Sequence, residues 1–166
     1  DEIKSGLQPG KFIGPFYVTK QAGAAEDGVD VGDNLCYRCK YGGRPQVMVF
    51  TRSSDKKVVQ LVQKLDAAVK SHTDHELRAF VNFLGDEKDQ LLGEAEEWAK
   101  ASNVSDVPLV VPNEFENGPE NYGLNPQADV TIILAGEGKV EVNHAVASAD
   151  DLDVDQVLAD VKKILN

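Results

Sequence analysis

Two cysteines, Cys36 and Cys39, are the residues of this chain best suited to covalent chemistry. They stand in the run Cys36-Tyr37-Arg38-Cys39-Lys40, where a gap of two residues lets the pair close a small disulfide ring. The stretch Leu35–Arg52 around them carries Arg38, Lys40, Arg44 and Arg52 and no acidic side chain. Nearby positive charge favours the thiolate, which is the nucleophile of thiol-disulfide exchange. Arg38, Lys40 and Arg44 are therefore candidate thiolate-stabilising groups. In such an exchange one thiolate attacks a partner disulfide and the other cysteine resolves the mixed disulfide. Either cysteine could attack first, and order in the motif makes Cys36 the conventional choice.

Other chemistries remain open for the pair. A purely structural disulfide would tie down the loop, although a four-residue ring removes little chain entropy. Two thiolates could hold copper or zinc only with further ligands from elsewhere. Haem attachment calls for a His directly after the pair, and Lys40 stands there. His72 and His75 have a helical metal spacing but fall in the polar link Ser71–Glu76, so they read as solvated. The acidic run Asp150–Asp155 lacks the central Gly of a calcium loop and reads as the start of a helix. Asn103-Val104-Ser105 fits a glycosylation acceptor, a pattern common by chance. No metal ligand set and no cofactor is assigned.

The chain has 166 residues, 42% of them hydrophobic and 27% charged, with a net charge of -11. This is enough for one full core, and a single domain over residues 1–166 is expected. Residues 1–45 read as an N-terminal extension with the cysteine loop, and residues 46–166 as the core. The acidity argues against nucleic-acid binding, which relies on Lys and Arg neutralising phosphates. No apolar run approaches the roughly 18 residues of a membrane span. The charge is also uneven. Residues 1–52 carry seven basic and six acidic side chains, whereas residues 53–166 carry ten and 22. The acid thus belongs to the later part of the chain, and the cysteine stretch is locally positive.

Hydrophobic periodicity outlines the scaffold. Phe12–Val18 reads as an irregular edge strand broken by Gly14 and Pro15, and Gly23–Gly32 as a loop. Gln46–Thr51 is a nearly continuous apolar run, suited to a strand buried on both faces. A helix is predicted over Asp55–Lys70, with Val58, Val62, Leu65 and Val69 on one face and Ser54 or Asp55 as its cap. Leu77–Leu84 is a second strand, and a helix runs from Asp86 to Ser102. Val107–Val111 is a third strand, placed near an edge because Pro108 interrupts it. Asn113–Pro126 is loop with one helical turn. Val130–Ala135 and Lys139–His144 form a hairpin over Gly136-Glu137-Gly138. Val154–Leu165 is a closing helix, entered through Asp153 and Gln156 at capping-box spacing.

This order resembles the thioredoxin-like superfamily, in its peroxiredoxin-like and thiol-disulfide reductase branch. The resemblance covers about residues 7–165. It rests on Gly14-Pro15-Phe16-Tyr17-Val18 as an N-terminal strand, on Gly118–Leu124 leading to the hairpin, and on Thr131–Val140 as the hairpin itself. It implies an α/β three-layer sandwich, a central mixed sheet flanked by helices, with a protein thiol or disulfide as partner. Two departures stand out. The family's Cys-x-x-Cys follows the first core strand, where this chain reads Thr51-Arg52-Ser53-Ser54-Asp55. The family's cis-proline precedes the hairpin near Asp129, and Pro126 lies three residues early.

The family position therefore gives no ground for catalysis at residues 51–58. Its polar residues Arg52, Ser54 and Asp55, with His144, make a possible small binding pole instead. If the resemblance holds, Cys36 and Cys39 sit at the start of the first core strand, without the helix that activates the family's thiol. A six-residue strand spans about 20 Å, which separates the cysteines from His144 and disfavours shared metal ligation. The leading expectation is an extracytoplasmic protein, periplasmic or secreted, that exchanges disulfides or senses oxidation through Cys36 and Cys39. The Asp1 start, without Met or apolar leader, and the cysteine pair motivate that location. The alternatives are a catalytically degenerate binding module with a structural disulfide, and a copper or zinc binder.

Overall fold

The computed structural model describes residues 3–165. Among them, seven strands form one mixed sheet: β1 (Val18–Ala22), β2 (Asn34–Leu35), β3 (Gln46–Thr51), β4 (Arg78–Phe83), β5 (Leu109–Pro112), β6 (Val130–Gly136) and β7 (Lys139–Val146). Their order across the sheet is β2-β1-β5-β4-β3-β6-β7. The centre is parallel, with β3 beside β4 and β4 beside β5, and both flanks are antiparallel. Helices α1 (Tyr37–Tyr41), α2 (Lys56–Ser71), α3 (Lys88–Ser102) and α4 (Val154–Asp160) cover its faces.

The period of two along β3 divides the core. Val47 and Val49 face a cluster with Leu61, Val62 and Leu65 of α2, Leu91 and Trp98 of α3, and Val157 of α4. Met48 and Phe50 face the other side, with Phe16, Tyr37, Tyr41, Phe80 and Tyr122. Every residue of β3 is buried, as a strand covered on both faces requires. The result is the expected α/β sandwich of a mixed sheet between helical layers.

Most elements lie where the periodicity places them. Asp55 caps α2 by accepting from the Lys57 N–H at 2.9 Å, and Asp153 caps α4 by accepting from the Gln156 N–H at 3.1 Å. Asp66, buried on α2, accepts from the Ser105 and Asp106 N–H groups and from Lys70, which fixes the loop entering β5.

Four expectations are corrected. The first strand is Val18–Ala22, and only Phe12 of the preceding segment forms a bridge, to Lys139. Ile13 and Phe16 are buried, but through an irregular segment kept out of a ladder by Gly14 and Pro15. β5 is internal, lying between β1 and β4. Pro108 precedes its first residue and its carbonyl accepts from Val81 N–H, so it interrupts no ladder bond, and the strand's own proline, Pro112, stands at its last position. The closing helix tightens into a 3₁₀ turn over Val161–Lys163. Finally, the cysteines do open a helix, the single turn α1.

The chain leaves β1 through Gly23, at φ 77°, and passes so close to Val107 that a Cβ there would lie 2.1 Å from its carbonyl oxygen. Glycine is required at this point by both its left-handed backbone and its bare Cα.

Candidate functional site

Cys36 follows β2 directly and is the N-cap of α1. Its extended backbone (φ -106°, ψ 98°) turns the chain into the helix, and the Cys39 N–H donates to its Sγ at 3.0 Å. Cys36 and Cys39 are joined in a disulfide. The two sulfur-bearing residues differ in access: Cys36 is only 6% exposed, whereas Cys39 lies on the surface.

Aromatic side chains hold this short turn against the sheet. Tyr37 is fully buried, with its ring 5.7 Å from Phe80 and 5.5 Å from Tyr41. The Tyr41 hydroxyl donates to the Ala79 carbonyl at 3.4 Å. A five-residue helix has little stability of its own, so this packing is what keeps it formed.

Beneath the turn lies an ion pair not foreseen from the sequence, with its lysine buried and its aspartate partly exposed. Lys20 is 1% exposed, in the middle of β1, and its ammonium meets Asp27 Oδ1 at 2.8 Å. It also donates to the Ala24 and Val29 carbonyls at 2.9 and 2.8 Å. The Tyr37 hydroxyl donates to the other Asp27 oxygen at 2.7 Å, which links the pair to α1. Burial pushes the Asp27 carboxyl upward, but hydrogen bonds from Lys20, Tyr37 and the Val29 N–H outweigh it and hold it below the ordinary range. Burial and the bond to Asp27 push the Tyr37 phenol far up, so it remains a donor. Nothing in the polar string Thr19-Lys20-Gln21 marks Lys20 as buried. The only local sign is an acid seven residues later.

The three cations near the cysteines have different duties. Arg38 donates to the Ile13 carbonyl and to the Gly42 carbonyl, both at 3.0 Å, and so ties α1 to the N-terminal segment. Arg44 donates to the Tyr41 carbonyl and approaches Glu76 at 3.5 Å. Lys40, next to Cys39, is exposed. A cleft of about 390 Å³ opens beside α1, with Lys40, Tyr41, Arg44, Arg78 and Asp106 in its walls.

The polar pole at the end of β3 is a separate place. Gly42 and Gly43, at the end of α1, bond to Gln46 and Glu137, at the beginning of β3 and the tip of the hairpin. Among the described residues, no hydrogen bond or ion pair joins Cys36–Arg44 to Thr51–Asp55. Part of the pole satisfies itself: Thr51 bonds Ser53, Ser53 Oγ accepts from the Asp55 N–H, and Asp55 caps α2, whereas Arg52 Nη2 is buried without a partner. Ser54 is exposed, and the Arg52 N–H donates to the Asp129 carbonyl. Asp129, at the family's proline position, thus faces residue 52 across the sheet, and all described peptide bonds are trans.

His144 pairs with Asp160 of α4, Nε2 to Oδ2 at 2.8 Å, rather than with Arg52, Ser54 or Asp55. Burial raises the Asp160 carboxyl, but hydrogen bonds from His144, Lys163 and Gln156 outweigh it and leave it below its ordinary value. A carboxyl depressed in the folded state contributes stability above its unfolded pKa of about 3.9, and that contribution is lost as pH falls through the folded value. Urea midpoints measured from about pH 5 down to about pH 2 should therefore fall more steeply for the wild-type protein than for Asp160→Asn. Parallel curves would exclude this contribution.

Among the described residues no group of three or more His, Cys, Asp or Glu side chains could hold a metal ion. No helix there is long and apolar enough to cross a membrane.

No protein-family model and no curated protein sequence matches the chain. Solved structures do. The thioredoxin domain of a thiol-disulfide oxidoreductase from Bacteroides vulgatus is 12% identical, covering 96% of this chain and 99% of that one, with a TM-score of 0.63. The peroxidoxin BcpB of Mycobacterium tuberculosis is 13% identical over 96% and 99%, with a TM-score of 0.65. A Chlorobium tepidum protein assigned to thiol:disulfide interchange as DsbE is 18% identical over 93% and 99%, with a TM-score of 0.63. A parallel core with antiparallel flanks, helices on both faces and these likenesses together give the chain the thioredoxin-like fold, in the form seen in thiol-disulfide oxidoreductases and peroxiredoxin-like proteins.

Proposed function

We propose that this protein exchanges disulfides with a protein thiol partner, or senses oxidation, through Cys36 and Cys39. The observation that carries the reading is a two-residue-spaced disulfide with one surface cysteine, on a fold used by thiol-disulfide oxidoreductases. Lys40 is the cation left exposed to favour a thiolate at Cys39, while Arg38 and Arg44 position the helix. The cleft beside α1 offers a seat for the partner's chain. The same disulfide supports an oxidising, extracytoplasmic setting, because reducing compartments keep such pairs open. The test is the reduction potential, read by thiol alkylation and mass after equilibration in dithiothreitol buffers. A value above about -300 mV is expected; one far below it marks a stable structural bond and sinks the proposal.

The second reading, a binding module with a structural disulfide, draws on the hydrogen bonds that engage Thr51, Ser53 and Asp55 with one another and on the absence of cysteine from Thr51–Asp55. On that reading a Cys36→Ser/Cys39→Ser protein keeps its partner and loses only stability. Loop-closure entropy for a ring this small amounts to about 2 kcal/mol.

A further inference from the structure

We propose that the pair works with inverted polarity: Cys39 is the sulfur that meets the partner, and Cys36 is the internal leaving and resolving sulfur. This rests on the exchange function proposed above and specifies its mechanism. Exchange needs a nearly linear approach of the incoming sulfur to one sulfur of the disulfide, so access decides which is attacked. Cys36 is buried at the N-cap of α1, whereas Cys39 is exposed and followed by exposed Lys40. The Cys39 N–H points at Cys36 Sγ at 3.0 Å, so charge appearing on Cys36 has a donor already in place. A leaving thiol stabilised as thiolate departs faster.

The step balances in both directions. A partner thiolate attacks Cys39 Sγ; a partner–Cys39 disulfide forms, the Cys36–Cys39 bond breaks, and Cys36 takes the electron pair as thiolate. A second partner thiolate then attacks the partner sulfur and releases Cys39, so that the partner is oxidised and the pair reduced. In reverse, Cys39 thiolate attacks a partner disulfide and expels one partner thiolate. Cys36 thiolate then attacks Cys39 Sγ, reforming the ring and releasing the partner's second thiolate.

The probe is glutathione. The wild-type protein is treated with reduced glutathione, quenched in acid, and mapped for the glutathionylated peptide. In parallel, Cys36→Ser and Cys39→Ser proteins react with an aromatic disulfide reagent, folded and in urea. The mixed disulfide is expected on Cys39. Folded Cys36→Ser should react at least about tenfold faster than folded Cys39→Ser, with the gap closing in urea, where access no longer differs. Glutathione on Cys36, or a faster Cys39→Ser protein, would overturn the inverted order while leaving exchange itself standing. A reduction potential too low for exchange would remove both. The wild-type mapping needs no substituted protein to fold.

Discussion

Asp27→Ala is expected to destabilise the oxidised protein by about 3–5 kcal/mol, because it strands the buried Lys20 ammonium without its counter-charge. Two backbone carbonyls would remain as acceptors, which satisfy hydrogen-bond geometry but do not neutralise the charge. For a chain of this size the loss corresponds to a fall in Tm on the order of 10 °C. Replacing both members, as Lys20→Met with Asp27→Leu, should cost less, since it leaves no unpaired charge, although the Tyr37 hydroxyl and Val29 N–H lose their acceptor in both proteins. Urea denaturation of the three proteins decides the matter. A loss under about 1 kcal/mol for Asp27→Ala would show that water reaches Lys20 and that the pair is not a closed one. The same substitution removes the acceptor of the Tyr37 hydroxyl, so α1 should loosen and its disulfide be reduced faster.

Phe80→Ala is expected to cost a similar amount, about 3–5 kcal/mol, as for other buried aromatic truncations. Its ring lies within 6 Å of Phe16, Tyr37 and Tyr41, so its removal opens a cavity directly under α1. Phe83 gives the matched control. It is equally buried, on the same strand but on the other face, and meets Trp98 edge-on at 4.9 Å. Both truncations should lower the urea midpoint alike. Only Phe80→Ala should accelerate reduction of Cys36–Cys39 by dithiothreitol. Equal acceleration by both would mean that the disulfide responds to global unfolding and not to the packing beneath it.

The residues that announced themselves in the sequence are those whose burial follows a local rule. β3 is a continuous apolar run, and α2 carries Val58, Val62, Leu65 and Val69 at helical spacing, so both lie where their patterns put them. The hairpin of β6 and β7 follows from Gly136 and Gly138 between a continuous apolar run and an alternating one. β1 escaped this logic because Lys20 occupies a core position that Asp27 and the Ala24 and Val29 carbonyls make tolerable, a tertiary fact invisible in Val18–Ala22. Pro108 points to an edge position for β5, yet it lies just outside the ladder of an internal strand. α1 is too short for any periodicity, and its formation depends on Phe80 and Asp27, which belong to other parts of the chain. The cysteine pair and its cations were legible by type. Their division of labour was not: Arg38 and Arg44 look alike in sequence to Lys40, yet both are committed to backbone carbonyls.

The smallness of the Cys36–Cys39 ring has a kinetic side. The slow problem in folding this sheet is bringing β3 beside β4 and then beside β6, segments far apart along the chain. A bond that closes within one helical turn shortens none of those searches. Oxidised and reduced chains therefore face the same topological task, and the proposed exchange asks nothing new of the scaffold's folding.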